Sequence, residues 1–192
     1  MIYSGRLIVF LLNVNGRVYL IVSWAGQVVL ATETSFVVPS QPKEMQSFFI
    51  NHFKANSEQL QVFGKDQWMA PVASGSNAPD AMVVCPCTMG TLSAIACGAS
   101  NNLIERAADV MIKEKRQLII VPRETPFSTI HLENMLKLAR AGVTIMPANP
   151  GFYHEPEKID DLVDFMVARI LDQFGIDAAF ANRWNGDLGG HT

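Results

Sequence analysis

The stretch from Gln117 to Met146 constrains the fold more than any other part of this 192-residue chain. Gln117–Pro122 is a short, unbroken apolar run, the pattern of a strand covered on both faces. Arg123-Glu124-Thr125-Pro126 follows without a spacer. Thr129–Ala141 then repeats apolar residues at helical spacing and stops at Gly142, a suitable C-cap. Val143–Met146 reads as the last core strand. Strands alternating with helices in this way specify an α/β domain built on a parallel sheet.

The remainder of the chain is read by the same rules. Arg6–Leu12 and Arg17–Ser23 are apolar, β-branched runs separated by Asn13-Val14-Asn15-Gly16, whose Asn-Gly is a strong turn signal. They read as two strands of an antiparallel hairpin. Gly26–Thr34 and Pro42–Phe53 read as helices, the second with proline in its first turn. Lys54–Ala78 mixes Gly, Ser, Pro and Asn with isolated aromatics and reads as irregular surface. Ala81–Pro86 is a buried strand, and Thr91–Gly98 and Leu103–Lys115 are helical. Asp160–Phe174 carries Leu162, Phe165, Met166, Ile170 and Leu171 at helical spacing and is closed by Gly175. The expectation is one three-layer domain over residues 1–192, with a tail from Asp177 packed onto a neighbouring surface.

Composition narrows the function. Hydrophobic residues make up 49% of the chain, enough for a sizeable core. Charged residues make up 17%, below the roughly 25% of an average globular protein, which points to an oligomer whose subunits cover one another. A net charge of −3 argues against a broad basic face for nucleic acid. No run reaches the ~18 apolar residues of a membrane span, and Leu7–Leu12 lacks a cleavage site for a signal peptide. Cys85, Cys87 and Cys97 cannot all pair internally, so a reduced, cytoplasmic compartment is expected. The Cys-x-Cys pair reads as alternate residues of a strand rather than as metal ligands, because no second cluster completes a four-ligand set.

In open α/β sheets ligands bind beyond the carboxyl ends of the strands. That rule selects Ser23, Cys87–Thr91, Arg123–Thr125 and Pro147–Tyr153. Thr88 and Thr91 stand where a strand enters a helix, and hydroxyls with free N–H groups at a helix N-terminus hold a phosphate. They serve equally as ordinary helix caps. The Arg123 guanidinium can fork onto a phosphate or a carbonyl, and Glu124 beside it can hold or deliver a proton. A local ion pair at the next helix start is the plainer alternative. Tyr153 in a Gly- and Pro-rich loop, with Arg169 on the following helix, could hold a second phosphate. His154 has little support as a general base.

The stretches Cys85–Ala96, Ala107–Glu114, Val121–Phe127, Ile145–Ala148, Gly151–Tyr153 and Arg169–Phe174 together resemble the UbiX/Pad-type flavin prenyltransferases. The resemblance is dense over residues 80–186 and weaker over Val18–Thr34. It implies a flavodoxin-like Rossmann subunit, assembled as a dodecamer of trimers. The implied reaction joins a dimethylallyl group from dimethylallyl phosphate to N5 and C6 of reduced FMN, without a metal. The prenylated FMN then passes to a UbiD-type decarboxylase. Residue by residue, Ser23, Thr88, Met89, Gly90, Thr91 and Arg123 would bind FMN. Lys113, Tyr153 and Arg169 would hold the prenyl phosphate, Glu124 would manage protons, and Trp68 and Trp184 match the positions of site aromatics. Thr88 stands where serine is commoner, and Gly90 where lysine or arginine is frequent.

One departure from that family matters. Its first strand is followed by a Gly-Ala-Ser-Gly-Ala loop and a long helix, and between Phe10 and Val18 this chain has only Leu11–Arg17. A parallel crossover takes roughly a dozen or more residues, so the first βα unit is abnormal. Either the amino-terminal segment is remodelled or the sequence is a shortened version of an ordinary member; in both cases weakened FMN binding and impaired activity are expected. Two alternatives stand beside this reading. One is an FMN-dependent cysteine decarboxylase-like flavoprotein, against which count the absence of histidine before His52 and of a Pro-Ala-Ser-Ala-Asn-Thr loop. The other is a flavin-poor, non-catalytic subunit.

Overall fold

The computed structural model describes residues 2–34 and 36–178. The chain opens with helix α1, Ile2–Asn13, where a strand over Arg6–Leu12 was expected. An unbroken apolar run has no period of its own, and the surroundings decide. As a helix it buries Leu7 in one cluster, with Val163, Val167 and Leu171, and Ile8 and Leu12 in another, with Met45 and Phe49. Arg6 adds a two-pronged ion pair to Asp164, at 2.6 and 2.7 Å. The Asn-Gly signal ends this helix instead of turning a hairpin. Asn15 takes a left-handed φ of 57°, and the Gly16 N–H donates to the Leu11 carbonyl at 2.8 Å. A Cβ at Gly16 would lie 2.7 Å from that carbonyl oxygen, so glycine permits the close approach.

Strand β1, Val18–Ile21, pairs in parallel with β2, Leu60–Phe63, and not with the preceding segment. The antiparallel hairpin is therefore overturned. So is the reading of Lys54–Ala78 as irregular surface, since Leu60, Val62 and Phe63 are buried there and two short 3₁₀ turns follow at Pro71–Ala73 and Gly75–Asn77. Four residues are too few to display a strand period among turn-forming neighbours. Helices α2, Trp24–Glu33, and α3, Pro42–Phe53, lie where expected.

The second sheet is the one anticipated. Its strands are β3, Ala81–Cys87, β4, Gln117–Pro122, and β5, Thr144–Ile145, all parallel and in that order. The connections are α4, Met89–Ala96, and α5, Leu103–Lys113, between β3 and β4, then α6, Thr129–Arg140, before β5; α7, Ile159–Gln173, follows. Strand β4 shows why there are three layers. Leu118 and Ile120 pack with Leu92, Met111 and Leu138 on one face, and Ile119 and Val121 pack with Val167 and Ile170 on the other. Among the described residues no pairing joins β1 to β3, so the parallel strands form two sheets of two and three. No helix among these residues is long and apolar enough to cross a membrane.

Candidate functional site

Three strand–helix junctions meet one cavity of about 1160 Å³, whose polar lining includes Ser23, Thr88, Thr91 and Arg123. Each junction is built by local hydrogen bonding. Ser23 caps α2, its hydroxyl accepting from the Gly26 N–H at 3.0 Å. Thr88 caps α4, accepting from the Thr91 N–H at 3.2 Å and donating to the Thr91 hydroxyl oxygen at 3.1 Å. This cap uses only one of the first-turn donors of α4. Among the described residues the Met89 and Gly90 N–H groups have no partner outside the helix, and the first N–H groups of a helix have none within it, so both can serve a ligand. Gly90 keeps the approach open, since a Cβ there would meet only Thr88 Oγ1, at 3.9 Å. The Arg123 N–H donates to the Cys87 carbonyl at 3.2 Å, which ties the β4 junction to the β3 junction. Its exposed guanidinium makes no hydrogen bond or ion pair among the described residues. A positive helix end, three hydroxyls and an unpaired guanidinium on one cavity suit a phosphorylated, partly apolar ligand.

The other expected residues are distributed less simply. Glu124 is exposed next to Arg123, and its carboxylate accepts from the Thr125 N–H at 3.3 Å. Tyr153 is exposed in the loop after β5 and sets its ring edge-on to Phe165 of α7, centroids 5.7 Å apart. Arg169 lies one turn beyond Phe165 on α7. Arg169 is ion-paired to Asp172 at 3.0 Å. Lys113 ends α5 and is paired with Glu114. It stands near the amino end of β4, the length of a six-residue strand, about 20 Å, from Arg123. Trp68 is half exposed in the loop after β2 and does not line the cavity. Trp184 lies outside the described residues.

Sequence reasoning missed the apolar part of the cavity, contributed along the length of β1 and β3. No motif signals it, because it arises from how two sheets are placed. The reading of His154 is sharpened. Its ring stacks on Phe165 at a centroid distance of 5.1 Å, and neither nitrogen has a hydrogen-bond partner among the described residues.

The two cysteines of Cys-x-Cys lie on β3, as their alternation suggested. Burial pushes the thiols of Cys85 and Cys87 up to about 12, and for Cys87 the neighbouring Cys85 adds to the effect. Both remain protonated at neutral pH, which withholds the thiolate that alkylation and metal binding need. Among the described residues no group of three or more His, Cys, Asp or Glu is placed to hold a metal ion. Iodoacetamide at pH 8 is expected to modify exposed Cys97 in the native chain, and all three cysteines only after unfolding. Mass spectrometry showing rapid native labelling of Cys85 would contradict the burial argument.

Comparison with known proteins gives this geometry a family. A family model described as Flavoprotein matches residues 1–171. The chain is 56% identical over 182 residues to the flavin prenyltransferase UbiX of Pseudomonas aeruginosa, covering 95% of this chain and 87% of that protein. The dodecameric FMN-dependent UbiX-like decarboxylase of Escherichia coli O157:H7 superposes with a TM-score of 0.83 at 38% identity, over 96% of this chain and 92% of that one. AnUbiX (PadA1), solved in complex with FMN and dimethylallyl pyrophosphate, gives 0.84 at 38% identity, over 96% and 90%. The α/β architecture with its parallel sheets agrees with these relatives, and the chain belongs to the Flavoprotein family, in its UbiX group.

Proposed function

We propose that this chain is a flavin prenyltransferase, which joins the dimethylallyl group of dimethylallyl phosphate to reduced FMN. The observation that carries the reading is the convergence of the α4 N-terminus, Ser23 and Arg123 on one cavity, in a chain 56% identical to a flavin prenyltransferase. Reduced FMN, when bound, supplies the nucleophilic N5 and C6. The chain supplies the rest. Thr88, Thr91 and the N–H groups of Met89 and Gly90 hold the flavin's anionic end, with Ser23 and Arg123 completing its polar contacts. Tyr153 and Arg169 hold the prenyl phosphate, and their cation and hydroxyl stabilise charge as that phosphate departs. Lys113 belongs to the same phosphate site but stands at the far end of β4, so a second subunit has to bring it there. Trp68, which does not line this chain's own cavity, would reach the site of a neighbouring subunit, where it and Trp184 supply aromatic walls whose ring faces stabilise an allylic cation. Glu124, next to Arg123, moves the proton.

On this reading residues 1–192 act as one flavoprotein domain with its tail at 177–192. The domain assembles as a homododecamer in the cytoplasm and delivers prenylated FMN to a UbiD-type decarboxylase.

The test begins with apo-protein and FMN. Retention of a yellow, reducible flavin is expected, followed by a spectral shift when the reduced complex meets dimethylallyl phosphate. Thr88→Ala should weaken FMN binding about tenfold, the loss of one charge-assisted hydrogen bond. Flavin that washes off completely would sink the enzymatic reading. Flavin that stays without any shift would reduce it to flavin binding.

A further inference from the structure

Helix α6 opens on a reciprocal cap. The Ser128 hydroxyl accepts from the His131 N–H at 3.2 Å, and the Ser128 N–H donates back to His131 Nδ1, also at 3.2 Å. Such a capping box ordinarily carries glutamate or glutamine at its third helical position, where a side-chain oxygen accepts. Here a histidine fills that position. A backbone N–H can only donate, so Nδ1 holds a lone pair and the neutral ring carries its proton on Nε2. Protonation at Nδ1 removes the acceptor and breaks this half of the box. It also sets a positive charge in the first turn, against the positive end of the helix dipole. The two effects act in the same direction.

Little nearby offsets that charge. The elements packed most extensively against α6 are α4 and β5, and neither carries a charged or titratable residue. On α6 itself Glu133, Lys137 and Arg140 do not lie three or four residues from His131. The loop leading into the helix brings Arg123 and Glu124, whose charges are opposite, and His131 has no ion pair among the described residues. Ser128 stands four residues after Glu124. The Arg123 N–H ties the near end of this loop to the Cys87 carbonyl at 3.2 Å, and the capping box holds its far end. We propose that His131 is a positioning residue: its neutral imidazole clasps the Arg123–Phe127 loop to α6, and uptake of a proton from solvent at Nδ1 releases it. Histidine ordinarily changes charge in mildly acidic solution, so the clasp opens as pH falls. The consequence for turnover rests on the flavin prenyltransferase reading, which places Arg123 and Glu124 in the site; the clasp itself does not.

The full chain and its His131→Gln variant are compared by hydrogen exchange with mass spectrometry, at about pH 8 and about pH 5.5. Glutamine keeps an acceptor at the same position but does not titrate. Comparing the two chains at one pH cancels the intrinsic dependence of exchange on acidity. At the higher pH they should exchange alike over residues 123–131. At the lower pH the unmodified chain should exchange about fivefold faster there, the size of one helix cap. His131→Ala, which has no acceptor, should exchange fast at both. A ratio of unmodified chain to His131→Gln that is the same at both pH values would overturn the proposal. With FMN and dimethylallyl phosphate saturating, kcat of the unmodified chain should fall about fivefold relative to the variant over the same interval. Exchange that shifts while this kcat ratio stays flat would overturn the positioning role. Absence of prenylated flavin from all three chains at both pH values would defeat the flavin prenyltransferase reading instead, and exchange alone would then decide the clasp.

Discussion

Replacing Glu124 by glutamine is expected to leave FMN bound and to lower turnover by about 10²- to 10⁴-fold, the usual contribution of a positioned proton-transfer group. That range corresponds to about 3–5 kcal/mol on the barrier. The amide keeps the size of the carboxylate and can still accept from the Thr125 N–H, so the loop after β4 has no reason to rearrange. What it loses is the capacity to take and return a proton. Arg123→Ala is the informative contrast. The guanidinium lines the cavity and makes no ion pair among the described residues, so its removal should appear first as lost flavin affinity and only secondarily in turnover of enzyme saturated with FMN. Flavin-saturated Glu124→Gln that turns over within about threefold of the unmodified chain would remove Glu124 from the chemistry.

Leu60→Ala is expected to destabilise the chain by about 3 kcal/mol, within the 2–5 kcal/mol found for leucines deleted from tight cores. Leu60 has no exposed surface and packs with Ile8, Met45, Phe49 and Val62. Against a typical total stability of about 5–15 kcal/mol, one such cavity is a large fraction. A urea midpoint that falls with an unchanged slope would report it cleanly. Met69→Ala, nine residues on and 95% exposed, should change stability by less than about 0.5 kcal/mol. Equal, small effects at the two positions would return residues 54–78 to the surface.

What the sequence revealed and what it hid divide on physical grounds. Strand β4 and the Arg123-Glu124-Thr125-Pro126 turn were legible because a short apolar run, a helix cap and a glycine stop each point the same way. The junction at Thr88 was legible for the same reason. Helix α1 was misread because Leu7–Leu12 is apolar at every position, and only tertiary partners choose between the two periods. Asn15-Gly16 was a true stop signal attached to the wrong element. Strand β2 was missed because four residues inside a turn-rich stretch carry almost no pattern. Site residues at strand ends could be named from topology. That Lys113 stands a strand's length from Arg123 follows from the same order, since Lys113 closes the helix that precedes β4 and Arg123 comes straight after its last residue.

The division of the strands into pairs β1–β2 and β3–β4–β5 also shapes how the molecule comes apart. No backbone ladder among the described residues crosses from one sheet to the other. The two are held together by side chains, chiefly α1, which buries Leu7 with α7 and Ile8 and Leu12 with β1 and α3. Side-chain contacts alone transmit cooperativity less completely than a continuous hydrogen-bonded sheet, and units so joined open separately. The amino-terminal third, through β2, is thus a unit of its own in unfolding. Hydrogen exchange is expected to show the amides of Val18–Ile21 and Leu60–Phe63 opening at a lower free energy than those of Gln117–Pro122, and equal protection of the two sets would contradict it.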